Sequence, residues 1–189
     1  MLPTRGLRAT TLISTLMSLA TPALGQGTPE WRVGAGFLIS RPKARLWGIN
    51  AQRERRLTRL VVYRGVASID GITLDPTLVT VSADVGLRGD LAPLSALIAI
   101  GPTLGYFIAP RRLYPMCQGS SCFTVQRGYE PGPLFAATGS LALGLRVSSE
   151  LRIFTEVRVH VPSGIGRSGF AQDPHAAFVE RAFGVSLLR

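Results

Sequence analysis

Acidic side chains are scarce in this chain: 11 Asp and Glu stand against 21 Lys and Arg, for a formal net charge of +10. Histidine and cysteine are scarcer still, with two of each. A zinc site at Cys117 and Cys122 would need two more ligands, and His160 and His175 stand at no finger-like spacing. Aromatics make up 7% of the residues, so any aromatic girdle is sparse. No stretch beyond residue 25 is long and apolar enough for a membrane-spanning helix, which takes about 20 residues. Such a chain can enter a bilayer only as a closed barrel, because open sheet edges leave backbone groups unsatisfied in lipid. Apolar repeats at three and four positions, the mark of an amphipathic helix, are also missing after the N-terminus. No phosphate-cradling glycine motif, catalytic acid pair or metal-ligand cluster appears, and the sequence implies no cofactor.

The first residues set the compartment. "MLPTRGLR" supplies two positive charges and no acid, "ATTLISTLMSLA" (9–20) is an apolar run, and "TPALGQG" follows. This is the order of a secretory signal peptide, with small residues suited to cleavage after Gly25 or Ala20. A signal anchor is the alternative, but the run is short and interrupted by Thr and Ser. Residues 1–25 are therefore expected to be the signal peptide and 26–189 a single domain. Arg5 and Arg8 leave with the signal, so +8 of the chain's +10 remains. Export also explains the cysteines. "MCQGSSC" sets Cys117 and Cys122 around Gly and Ser, which suits a disulfide closing a loop tip in an oxidising compartment. A ring that short contributes roughly 2 kcal/mol in the chain-entropy description.

What is present is alternation. In "LVTVSADVGLR" (78–88), Val79, Val81, Ala83, Val85 and Leu87 share one face of an extended strand, and Thr80, Ser82, Asp84, Gly86 and Arg88 share the other. Further strand segments are "WRVGAGFLIS" (31–40), "LTRLVVYRGVASI" (57–69), "LSALIAIGPTLGYFI" (94–108), "LFAATGSLALGLRV" (134–147), "LRIFTEVRVHV" (151–161) and "AFVERAFGVSLLR" (177–189). These make seven, and a closed antiparallel barrel calls for an even number; "ARLWGINAQ" (44–52) is the candidate eighth. Pro102 argues for a bulge or distortion in its strand. The connections alternate short and long: 53–56 short, 70–77 longer, Gly89-Asp90 short, 109–133 long, 148–150 short, 162–175 long. Short turns on one rim and long loops on the other characterise outer-membrane barrels.

The apolar face carries almost no charge over nine to eleven residues, about the reach of a membrane-spanning strand. The opposite face would then line the lumen, with Asp84, Arg88, Arg152, Glu156, Arg158 and Glu180 as a network of both signs. Tyr106, Phe107, Phe135 and Phe178 are expected near the long-loop rim as a girdle, and Trp31 near the other rim.

Signal, eight alternating segments and loop rhythm together resemble the small outer-membrane β-barrel family of OmpA/OmpX type. The resemblance spans roughly residues 30–189 and is architectural rather than a single motif. It implies an all-β, closed antiparallel up-and-down transmembrane β-barrel of eight strands in the outer membrane of a Gram-negative-type cell. It also implies contact with outer-membrane lipid and with the barrel-insertion machinery, which in that family reads a last strand closed by an aromatic residue. Phe183, Val185 and Leu187 match the alternation, but Arg189 stands where Phe is expected.

An eight-stranded barrel is filled by side chains or holds at most one small ligand, so no general pore is expected. The reading for function is a non-enzymatic barrel acting in envelope structure or surface interaction through its long loops, with the surface partner open. The alternatives are a soluble secreted or periplasmic barrel binding a small apolar ligand, and a hydrolase like the lipid A deacylases, using His160, Ser163 and Glu180. The latter conflicts with a spacing of two residues between His and Ser where that family has one, and with the inward parity of His160. The basic run Arg41, Lys43, Arg45, Arg53, Arg55, Arg56 and Arg59, opposed by Glu54 alone, is a candidate for contact with lipid phosphate. An exported chain gives no reason to read it as a nucleic-acid surface.

Overall fold

The computed structural model describes residues 29–40, 44–71, 77–108, 112–118, 121–127, 132–163 and 177–188. Residues 1–25, expected to be a signal peptide, lie outside them. Ten strands follow one another: β1 (Glu30–Ser40), β2 (Ala44–Arg56), β3 (Val61–Asp70), β4 (Thr77–Leu91), β5 (Leu94–Ile108), β6 (Arg112–Gln118), β7 (Ser121–Arg127), β8 (Gly132–Arg146), β9 (Leu151–Pro162) and β10 (Phe178–Leu187). Eight of them close into a barrel in the order β1-β10-β9-β8-β5-β4-β3-β2, while β6 and β7 pair with each other. Neighbours in the barrel run antiparallel, each strand beside the next in the chain except that β5 pairs with β8 past the β6–β7 hairpin, and β1 with β10 closes the ring. The weak segment 44–52 is thus a full strand, and the barrel has its eight.

Local chemistry misplaced several edges. The expected turn at 53–56 is strand, and the chain turns at 57–60, where Thr58 Oγ accepts the Leu60 and Val61 amides at 3.3 and 3.0 Å. The expected Gly89-Asp90 turn is also strand, and the reversal falls at Ala92-Pro93. Pro102 interrupts the ladder without a bulge: Ser82 faces Thr103 and Val85 faces Ile100 in one register, and the two pairs between them drop out. The stretch 109–133, expected as loop, contains the β6–β7 hairpin, whose backbone register sets Cys117 opposite Cys122.

The pairing fixes the barrel's shape. Stepping from Arg88 across β5, β8, β9, β10, β1, β2 and β3 passes Leu97, Ala142, Glu156, Ala182, Gly36, Gly48 and Asp70 and returns to β4 at Leu78, ten residues from the start. With about 3.3 Å per residue and 4.8 Å between strands, a stagger of ten over eight strands tilts them by about 40°. Each residue along a strand then climbs about 2.5 Å along the barrel axis.

The two faces separate cleanly. Val33, Ile49, Val85, Ile98, Ile100, Leu104, Leu141, Val159 and Phe183 are exposed on the outside. The interior holds the polar parity and two apolar clusters. Phe107 and Phe178 are interior, fully and 98% buried, rather than part of an outer girdle. They share parity with lumen residues: Phe107 is one position from outward Tyr106, and Phe178 is two from inward Glu180. At the β1–β10 seam the strands approach so closely that a Cβ on Gly36 would lie 1.8 Å from the Arg181 carbonyl oxygen. Only glycine fits there.

Candidate functional site

Ascending the lumen from the short-turn rim, three layers differ in chemistry. The lowest is a mesh of ion pairs. Arg32 binds Glu54 at 2.7 Å, Arg88 binds Glu30 at 2.5 Å and also Glu54, and Arg152 binds Glu30 at 3.0 Å. Asp90 closes the mouth against Arg88 at 3.2 Å and against Arg56. Buried charges are costly to desolvate, and shared carboxylates with several guanidinium donors are the arrangement that offsets this.

The middle layer centres on Arg64, which no solvent reaches. Its guanidinium donates to Glu156 at 2.6 Å, Asp84 at 2.8 Å and Ser140 at 2.5 Å. Gln52 donates to the other Glu156 oxygen at 2.5 Å. Arg158 bonds Glu180 at 3.1 Å and Ser82, and Asn50 donates to the second Glu180 oxygen at 3.1 Å. Above this layer, His160 Nδ1 meets Thr138 Oγ at 2.8 Å, its Nε2 faces Glu180 at 3.4 Å, and its ring stacks on Phe178 at 4.6 Å.

Leu38, Leu46, Leu78, Phe107, Leu134 and Phe178 form the top layer, one residue from each of six strands. They plug the long-loop end of the lumen with apolar side chains. Among the described residues, these six side chains close that end of the axis. The hydrolase arrangement also fails on geometry. Ser163 follows the outward parity of Val161 and donates to the Phe135 carbonyl at 3.2 Å, whereas His160 points inward to Thr138.

Asp84, Arg88, Arg152, Glu156, Arg158 and Glu180 therefore all lie inside, in two connected layers. Sequence reading overlooked Glu30, Arg32, Glu54, Arg64 and Asp70. The signal available for Arg64 was its position: counting back through the β3–β4 turn sets it opposite Asp84.

The basic run behaves differently, because β2 carries it from one rim to the other. Arg41 and Lys43 lie outside the described residues, and the Arg45 backbone starts β2 at the long-loop rim. Arg53 and Arg55 are half-buried near the short-turn rim, where Arg56 and Arg59 are exposed. The ten residues from Arg45 to Arg55 span about 25 Å of height, the height of a barrel's apolar band. Arg53 lies over the Trp31 ring, its guanidinium carbon 5.5 Å from the centroid. That contact suits an interface, where Trp and Arg anchor a barrel edge.

One more arginine faces outward. Arg181 on β10 lies six residues above Leu187, about 15 Å up a band some 25 Å tall. Its neighbours are Phe37 on β1, Val157 on β9, and Val179 and Phe183 on its own strand. Among the described residues, no outward-facing strand position holds an acid.

No family model and no curated protein sequence matches the chain. Solved structures do. Neisserial surface protein A superimposes with a TM-score of 0.57 at 10% identity, covering 84% of this chain and 94% of that one. The N-terminal β-barrel domain of Pseudomonas aeruginosa OprF matches at 0.50 and 12% identity, covering 86% and 98%. The chain has the fold of the small eight-stranded outer-membrane barrels. A further member of that group, Yersinia pestis Ail in complex with the heparin analogue sucrose octasulfate, matches at 0.51 and 9% identity, covering 84% and 96%.

Proposed function

We propose that the chain is exported to the outer membrane of a Gram-negative-type cell and acts there, without enzymatic activity, as a surface-interaction barrel through its long loops. The observation that carries this reading is the filled interior. Ion pairs occupy the lower and middle lumen and six apolar side chains close its outer end, so chemistry with a partner falls to the surface. The outer face supports the membrane seat: apart from Arg181 and the arginines near the ends of β2 it is largely apolar on the described strands, and Phe183, Val185 and Leu187 present the alternation that insertion machinery reads in the OmpA/OmpX-type family.

The long-loop side is basic. Its connections carry Arg41, Lys43, Arg111, Arg112, Arg127 and Arg167 against Asp75, Glu130 and Asp173. The backbone register pairs position 112 with position 127 at the base of the hairpin, and both are arginine in the sequence. A sulfated or otherwise polyanionic surface polymer is the partner this charge favours, and the Ail complex with a heparin analogue is in keeping with it.

The test uses cells expressing the full chain and cells in which 112–127 is replaced by a short Gly-Ser turn. Both proteins should fractionate with the outer membrane and need detergent for extraction. Cells with the full chain should bind fluorescent heparin several-fold more than cells with the shortened one. Equal heparin binding would remove the loop reading, and recovery in soluble periplasm would remove the membrane reading.

A further inference from the structure

We propose that Arg181 and the aromatic patch beside it form a lipid site on the outer face of β10, β1 and β2, whose ligand is a phosphorylated glycolipid of the leaflet on the long-loop side. This rests on the outer-membrane placement above but not on what the loops bind.

Arg181 is the one charged outward position of the described strands that lies away from both edges of the apolar band. A cation there needs a counter-charge, and a charged group at membrane depth marks a functional site by default. The protein supplies no such partner on that face: the neighbours are Phe37, Val157, Val179 and Phe183. A second copy of this chain supplies none either, because its outer face is equally free of acids among the described residues. A lipid phosphate does, and it matches the planar guanidinium with two parallel hydrogen bonds.

The surroundings fit a lipid of the upper leaflet. Arg181 stands above mid-height, and its long side chain can carry the guanidinium toward the long-loop edge while its stem stays in the apolar band. Phe37 and Trp47 are in contact, with ring centroids 4.3 Å apart, and Phe183 is 69% exposed. Together they offer an apolar bed for acyl chains on both sides of Arg181. In the sequence, the connection from β1 to β2 adds Arg41 and Lys43 to the positive charge of the chain.

The full chain in phosphatidylcholine nanodiscs doped with diphosphoryl lipid A, then returned to detergent and washed, provides the test. Wild-type protein should retain lipid A by mass and phosphate analysis, Arg181→Leu should retain several-fold less, and Arg181→Lys should fall between. Lipid A stripped of both phosphates should not be retained. Heat-modifiable migration confirms that each variant is folded, and heparin binding of Arg181→Leu cells should stay at the wild-type level. Equal retention by Arg181→Leu, or equal retention of the dephosphorylated lipid, would overturn the site. Equal retention of phosphatidylglycerol, or displacement by inorganic phosphate, would overturn the glycolipid assignment. Loss of a cross-linked oligomer in Arg181→Leu would replace the lipid by a protein partner.

Discussion

Arg64 shows how much one interior residue carries. Its two terminal nitrogens hold Glu156, Asp84 and Ser140, and none of the four side chains has an alternative in solvent. Arg64→Met leaves two carboxylates buried without their cation, a change that costs about 3–5 kcal/mol. The expected result is a clear drop in the urea midpoint of unfolding from detergent micelles, with the slope unchanged. Adding Asp84→Asn and Glu156→Gln removes the stranded charges as well, and should recover most of the loss. A single-variant cost below about 1 kcal/mol would mean that Arg158, 3.9 Å from both Asp84 and Glu156, already suffices. Arg64 was hard to see in the sequence because the inward parity of its strand, Val62, Arg64, Val66, Ser68 and Asp70, mixes apolar and charged residues. That segment was legible as a strand, but the role of its inner face, which builds both an apolar cluster and an ion network, was not.

At the scale of elements, period-two alternation was enough to find the strands, and long-range charge decided where they end. Gly89-Asp90 has the local chemistry of a turn. Asp90 nevertheless stays in β4 because Arg56 of β2 and Arg152 of β9 converge on it beside Arg88 of its own strand. Arg53–Arg56 likewise remains strand because Glu54 is drawn inward to Arg32 and Arg88. No short window of sequence places Arg56 or Arg152 beside Asp90, or Arg32 and Arg88 beside Glu54. The β6–β7 hairpin escaped notice for a local reason: Pro115 and the Gly-Ser tip read as loop. Its register sets Cys117 opposite Cys122, and directly facing strand positions have the Cα separation, about 4.5–5.5 Å, that a disulfide accepts. Protein purified without reductant should therefore resist alkylation at both cysteines and take up two labels only after reduction. Two labels before reduction would show free thiols and a hairpin held by its ladder alone.

For the whole molecule, the stagger of ten and the layered lumen bear on permeation. Eight strands tilted by about 40° enclose an interior that side chains can fill. Here they fill it with two different obstacles in series. The apolar plug at the long-loop end offers an ion no hydration, and constrictions of this type block by excluding water. Beneath it, Arg64 and Arg158 bridge acids from β4, β9 and β10, tying opposite walls together. Planar bilayers containing the purified protein should accordingly show no open-channel steps. The two obstacles can be separated. Phe107→Ala with Phe178→Ala removes the large side chains of the plug yet leaves the ion layer intact, so this variant should also stay closed. Steps in the double variant but not in the wild type would assign the seal to the plug and show that the ion layer passes solvent. Steps in the wild type would mean that the bridges open and close, making the interior a gate rather than a core.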